Sequence, residues 1–259
     1  MIKGPRYGYG RPPHPQLYAL IEKERPAFEE HLRYLPSLFH FLAAIPMESV
    51  TNSPALPCWN NGQLPGLDAA ALYSFICLNR PQYYLEFGSG AATRFARQAI
   101  EDQVLSTEII CVDPDHHDLD SIADVVIPKD ITDLELDLLD ELNRGDILYL
   151  DPSHLVGMAT DSTLIFLEIL PRLKPGVLVH LHDIYLPYDY PPEWADRNYG
   201  DQYLLAAWLL SGNTRSRIRL ANTFISNDSK LSSMLLPEWI RYNLSAVERH
   251  GGSFWLEMI

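Results

Sequence analysis

Cysteine is scarce in this chain: Cys58, Cys77 and Cys111 are odd in number, far apart and never spaced as C-x-x-C. That argues against a disulfide framework and a structural zinc site and fits a reducing cytoplasm. Basic residues are also few, with 20 Lys and Arg against 34 Asp and Glu and a net charge of −14. A surface that tracks phosphates needs clustered cations to displace counterions, so no nucleic-acid partner is expected. No stretch approaches the ~18 apolar residues of a membrane span, and "MIKGPRYGYGRPPHPQ" contains no apolar leader core. The expectation is a soluble cytoplasmic protein with no membrane partner.

What is present is a chain of 259 residues, 47% hydrophobic, enough to bury a large core. Residues 1–16 hold four prolines and three glycines and read as an irregular arm. Leu17 to Ala44 carries helical spacing broken near Pro26 and Pro36; a long loop follows, then a helix over 68–78 that Asp68 can cap, with Ala71, Leu72, Phe75 and Ile76 on one face. Beyond Pro81, short apolar runs alternate with amphipathic segments, the pattern of a parallel sheet wrapped by helices. Strands are expected at 83–87, 108–112, 124–127, 146–150, 176–182, 217–225 and 253–258. Helices are expected near 92–103, 132–143, 161–170 (capped by Thr160 or Asp161), 200–210 and 237–248. The fold class is therefore α/β: a doubly wound, Rossmann-like, mostly parallel sheet with an antiparallel C-terminal strand over 81–259, and an N-terminal helical cap over 1–80. Twelve acids between residues 113 and 146 face only Lys129 and Arg144 and read as solvated surface.

Ligands of such sheets sit beyond the carboxyl ends of the strands. The first strand ends in "LEFGSGAAT", where Gly88 and Gly90 permit close backbone approach and the next helix offers free N–H groups. Thr93 stands where a dinucleotide fingerprint wants a third glycine, and Glu86 would repel phosphate but accept bonds from an ammonium group. An amine-bearing ligand fits better than a pyrophosphate, which disfavours an NAD-dependent oxidoreductase. Asp113 ends the second strand where an acid meets ribose hydroxyls, or it begins a turn before Pro114. Asp130 ends the third where an adenine amino group could be read, or it flanks a helix.

"LEFGSGAAT", "ICVDP", "DILYLDPSH" and "LKPGVLVHLHD" together resemble the motif series of class I S-adenosylmethionine-dependent methyltransferases. The resemblance implies that Glu86, Gly88, Ser89 and Gly90 flank the methionine end of that cofactor, Asp113 its ribose and Asp130 its adenine; Thr93 and Asp151 are also expected among the cofactor-binding residues.

The fourth and fifth strand ends bring Asp151, His154, His182 and Asp183 toward one pocket. Their donors suit Mg²⁺ or Mn²⁺. The segment is similar to cation-dependent O-methyltransferases of the catechol and caffeoyl-coenzyme A type. That similarity implies a metal on Asp151, His182 and Asp183, and places His154 where those enzymes carry a lysine proposed as general base. An unperturbed imidazole, near pKa ~6.5, could take a proton there. The plainer readings are a turn at Asp151, a loop cap at His154 and a hydrogen-bonded core histidine at His182. His116 and His117 look metal-like but read as exposed. Tyr185, Tyr188, Tyr190, Trp194, Tyr199 and Tyr203 follow the fifth strand and form either an acceptor wall, closed by the N-terminal helices and Trp59, or lid packing. The expected activity is methyl transfer to a small-molecule acceptor, through oxygen before nitrogen, with a homo-oligomer open; the competing class is a non-catalytic cofactor-binding module or assembly partner.

Overall fold

A computed structural model describes residues 4–51, 53, 55–115, 121–212 and 214–259. The N-terminal helices are α1 (Pro15–Glu22), α2 (Arg25–Tyr34), a 3₁₀ turn (Leu35–Leu38) and α3 (Phe39–Leu42), the first three each opening with a proline in their first two positions. They lead through a loop to α4 (Gly66–Asn79). That helix is buried on every side rather than along the one expected stripe, because the N-terminal helices cover the face turned away from the sheet. His31 reaches Ser74 Oγ at 2.6 Å, and Phe75 stacks on Trp255 with centroids 4.2 Å apart.

The sheet is assembled from β1 (Tyr83–Phe87), β2 (Glu108–Val112), β3 (Val125–Ile127), β4 (Ile147–Leu150), β5 (Leu178–Leu181), β6 (Ser216–Ala221) and β7 (Phe254–Met258). Their order is β3-β2-β1-β4-β5-β7-β6, parallel from β3 to β5, with β7 antiparallel to both of its neighbours. This is the doubly wound, mostly parallel α/β architecture. α5 (Ala91–Asp102) follows β1; α6 (Asp161–Leu164) runs through a π-helical stretch (Ile165–Ile169) into α7 (Leu170–Arg172); and α8 (Asp201–Leu210) precedes β6. α9 (Asn222–Asn227), α10 (Ser229–Ser233) and α11 (Leu236–Arg241) separate β6 from β7.

Three expected elements differ. The helix over 132–143 is two 3₁₀ segments, Ile131–Asp133 and Leu136–Glu141, because like charges three and four residues apart crowd the segment and Arg172 draws Asp137 and Asp140 outward. The strand over 217–225 stops at Ala221, where Asn222 turns to hydrogen-bond Asp68 and starts α9. The helix over 237–248 stops at Arg241, closed by left-handed Asn243 and a bond from Leu244 N–H to Trp239 O.

Asp68 does not cap α4, whose N-cap is Pro65. Its buried carboxylate instead accepts from Asn222 Nδ2 at 2.6 Å, Gly252 N at 2.7 Å and Ser253 N at 2.9 Å, tying α4 to the two ends of the β6–β7 excursion. Thr160 does cap α6, accepting from Thr163 N–H, while Asp161 holds Ser153. Among the described residues no helix is long and apolar enough to cross a membrane.

Candidate active site

Register places the site. Phe87 pairs with Leu150 and Leu150 with Leu181, so the residues just beyond them, Gly88, Asp151 and His182, lie side by side at one sheet edge. Gly88 takes φ +86°, and a Cβ on it would meet the Asp151 carbonyl oxygen at 2.9 Å, so the turn needs glycine both for its conformation and for this approach. Below it Glu86 is buried, with Oε2 lacking a hydrogen-bond partner. Burial pushes its carboxyl well above the usual range, which Thr93 beside it offsets only in part. A bound cation against that oxygen would favour the carboxylate and turn the buried acid into a strong acceptor.

The other expected cofactor residues are variously engaged. Ser89 donates to Asp113 Oδ2, and Asp115 N–H to Asp113 Oδ1, so Asp113 is both a turn former and an acid at the tip of β2. Thr93 is buried, its hydroxyl accepting from Gly90 N–H at 3.1 Å in a capping arrangement; it faces the turn rather than open space. Asp130 caps the 3₁₀ turn after β3, accepting from Thr132 N–H and hydroxyl, which hold its carboxyl below the usual range. The helix start is not free: Gln63, from the loop before α4, accepts from Ala91 N–H at 3.0 Å, and its Oε1 lies where a Cβ on Gly90 would be, 2.7 Å away. Beneath it the cleft between Glu86, Ser89, Tyr149 and Asp151 holds only about 10 Å³.

A cavity of about 510 Å³ adjoins that cleft and shares Gln63, Leu64, Asp151 and His182 with it. His154 and Asp183 form part of its lining, and both adopt left-handed backbone, at φ 62° and 52°. Non-glycine residues hold that conformation only where their surroundings fix it. The fixing group for His154 is Asp201 in the first turn of α8: buried, 2.9 Å from His154 Nδ1, and itself accepting from the Tyr190 hydroxyl at 2.6 Å. Gly200 N–H also donates to the His154 carbonyl. The opposite nitrogen, Nε2, lies 3.5 Å from Asp151 Oδ1 and 4.0 Å from Asp183 Oδ2.

Burial alone would lower the His154 pKa, but hydrogen bonds to Asp151 and Asp201 outweigh it and push it up to about 10. It is not the unperturbed base that its sequence position suggests; at neutral pH it is an imidazolium. His182 is likewise raised by Asp151 and Asp183 against its burial, and its Nδ1 has no partner. Asp151 is held below its ordinary range by His182 and His154 despite the raising effect of burial, whereas burial lifts Asp183.

The metal set expected from Asp151, His182 and Asp183 is not assembled. Among the described residues no three His, Cys, Asp or Glu side chains are arranged to hold an ion. The His154 ring stands between the two carboxylates and supplies their countercharge. His116 and His117 lie outside the described residues. Asp201 was hidden in the sequence because an acid at the start of a helix reads as complementing the helix dipole; only Tyr190, eleven residues earlier, marks it as a buried acceptor.

Residues 85–184, from within β1 to just past β5, match the methyltransferase-domain family. No curated protein matches the chain. Among solved structures, it is similar to an SAH-bound Podospora anserina methyltransferase, PaMTH1, at 12% identity, TM-score 0.44, over 90% of this chain and 88% of that one. A candidate O-methyltransferase from Klebsiella pneumoniae is similar at 12% identity, TM-score 0.42, over 88% and 89%. A Mg-SAM form of cmcI is similar at 15% identity, TM-score 0.42, over 75% and 72%.

Proposed function

We propose that this chain, whose residues 85–184 match the methyltransferase-domain family, is an S-adenosylmethionine-dependent methyltransferase that methylates a hydroxyl of a small molecule held in the 510 Å³ cavity. The observation that carries the proposal is the junction: Asp151 and His182 belong at once to the cleft over Glu86 and to the cavity, so two ligands would meet there. S-adenosylmethionine supplies an electrophilic sulfonium methyl when bound. The unpaired Glu86 oxygen is a fit for its ammonium, Gly88 for close approach, and Asp113 for ribose hydroxyls. Gln63 would leave Ala91 N–H to the cofactor carboxylate.

Alignment of the two reactants carries most of the acceleration, up to ~7–11 kcal/mol. Asp183, its pKa raised by burial, takes the hydroxyl proton as the oxygen attacks, a contribution on the order of 10²–10⁴-fold. His154, clamped by Asp201, keeps Asp151 and Asp183 together as their countercharge. A divalent ion on those two carboxylates would compete with that ring for them.

The test is methyl transfer itself: S-adenosylhomocysteine formation with a panel of hydroxylated acceptors, with and without chelator. Cofactor binding with no product from any acceptor would favour the non-catalytic binding module instead. Against wild type, His154→Ala should lower turnover more than cofactor affinity.

A further inference from the structure

The lining of the cavity says more about the acceptor. Its floor is the Asp151–Asp183 pair with the His154 imidazolium beside them, and Glu248 at its side lies 3.3 Å from His250 Nδ1. Arg197 is the one arginine or lysine among its described lining residues, and no carboxylate lies within ion-pair distance of it among the described residues. Its guanidinium carbon lies over a ring, 3.8 Å from the Trp194 centroid and 5.6 Å from that of Tyr199. Trp194 in turn meets Tyr185 edge-on at 5.1 Å. Stacking of this kind limits the side chain's freedom while leaving its N–H fork open to an acceptor.

Tyr185 follows Asp183 by two residues and touches Trp194, which carries Arg197. Along one wall the order is therefore carboxylate, aromatic rings, guanidinium.

Resting on the methyl-transfer reading for which end reacts, we propose that the acceptor is a planar hydroxy acid, its carboxylate bound by Arg197, its ring against Tyr185 and Trp194, and its hydroxyl at the Asp151–Asp183 floor. A single planar carboxylate matches one guanidinium fork in both charge and shape. The volume suits a one- or two-ring molecule.

The test compares 4-hydroxybenzoate with 4-hydroxybenzamide, equal in shape and different in charge, by calorimetry on the full chain with S-adenosylhomocysteine present. Wild type is expected to favour the acid by about tenfold or more. Arg197→Gln should abolish that preference, and Arg197→Lys should keep part of it. Thermal melting of each variant should match wild type, since Arg197 is exposed. Equal binding of the two probes, no binding of either, or a preference that survives Arg197→Gln overturns the proposal. If the acid is preferred through Arg197 but no methylated product forms from any hydroxy acid, the anion site stands and the methyl-transfer reading of the floor fails.

Discussion

His154 Nδ1 donates to Asp201 Oδ2 across 2.9 Å, with both side chains buried and Tyr190 completing the acceptor's shell. An ion pair removed from water needs both partners; losing one leaves an uncompensated charge. Asp201→Asn keeps the shape and removes the charge, so the ring should lose its fixed orientation and part of its raised pKa. Turnover is expected to fall about 10- to 100-fold, a share of the ~10²–10⁴ that proton transfer contributes. Cofactor affinity, measured by calorimetry, should change less than about twofold. Tyr190→Phe, which leaves the ion pair, should show a smaller loss in the same direction. An Asp201→Asn enzyme with wild-type turnover would end the clamp's role in the reaction.

Gln63 occupies the first open N–H of α5 and the space above Gly90. If the same N–H group is to receive the cofactor, the side chain must leave first, and binding is weakened by the population of the closed form. Gln63→Ala should therefore tighten S-adenosylhomocysteine binding by about 3- to 10-fold, read as a lower dissociation constant and a larger thermal shift. Weaker binding would identify Gln63 as a ligand for the cofactor instead of a competitor.

The sheet was legible from the sequence because its strands are short apolar runs with abrupt ends, and the strand-end residues followed from register: Gly88, Asp151 and His182 stand where the motifs place them. What could not be read was long-range. The tie from Asp68 to Gly252 spans 184 positions, and a local pattern offers only the helix-cap reading. Gln63 over the α5 terminus, and Asp201 behind His154, are likewise meetings of loop and helix start that no periodicity encodes. The acidic segment 131–141 misled because its leucines keep helical spacing while its charges oppose a regular helix.

Asp68 joins three donors in the core, two of them backbone N–H groups that would be buried without a partner if it were removed. Asp68→Ala should cost about 3 kcal/mol or more, given 1–3 kcal/mol for each buried group left unsatisfied. The check is the urea midpoint at pH 7.5. Asp68→Asn, which keeps one acceptor oxygen, should retain part of the stability, and a fully wild-type midpoint for Asp68→Ala would contradict the tie.

His31 is a pH-dependent element remote from the site. It is fully enclosed between α2 and α4, bonded to Ser74 and tilted against Phe75, and burial, assisted by the charge of Arg219, lowers its pKa to about 3. The unfolded chain has this imidazole near ~6.5, so between those values the unfolded state binds more protons than the folded one. Stability is then complete above pH ~6.5 and falls as the medium is acidified toward 3, by up to ~1.4 kcal/mol per pH unit and about 2 kcal/mol at pH 5. His180, buried and lowered in the same way, adds to the effect. His31→Gln can still bond Ser74 but cannot titrate. Urea midpoints at pH 7.5 and 5.0 should therefore separate more in wild type than in this variant, and equal separations would show that His31 takes up its proton without opening the helix pair.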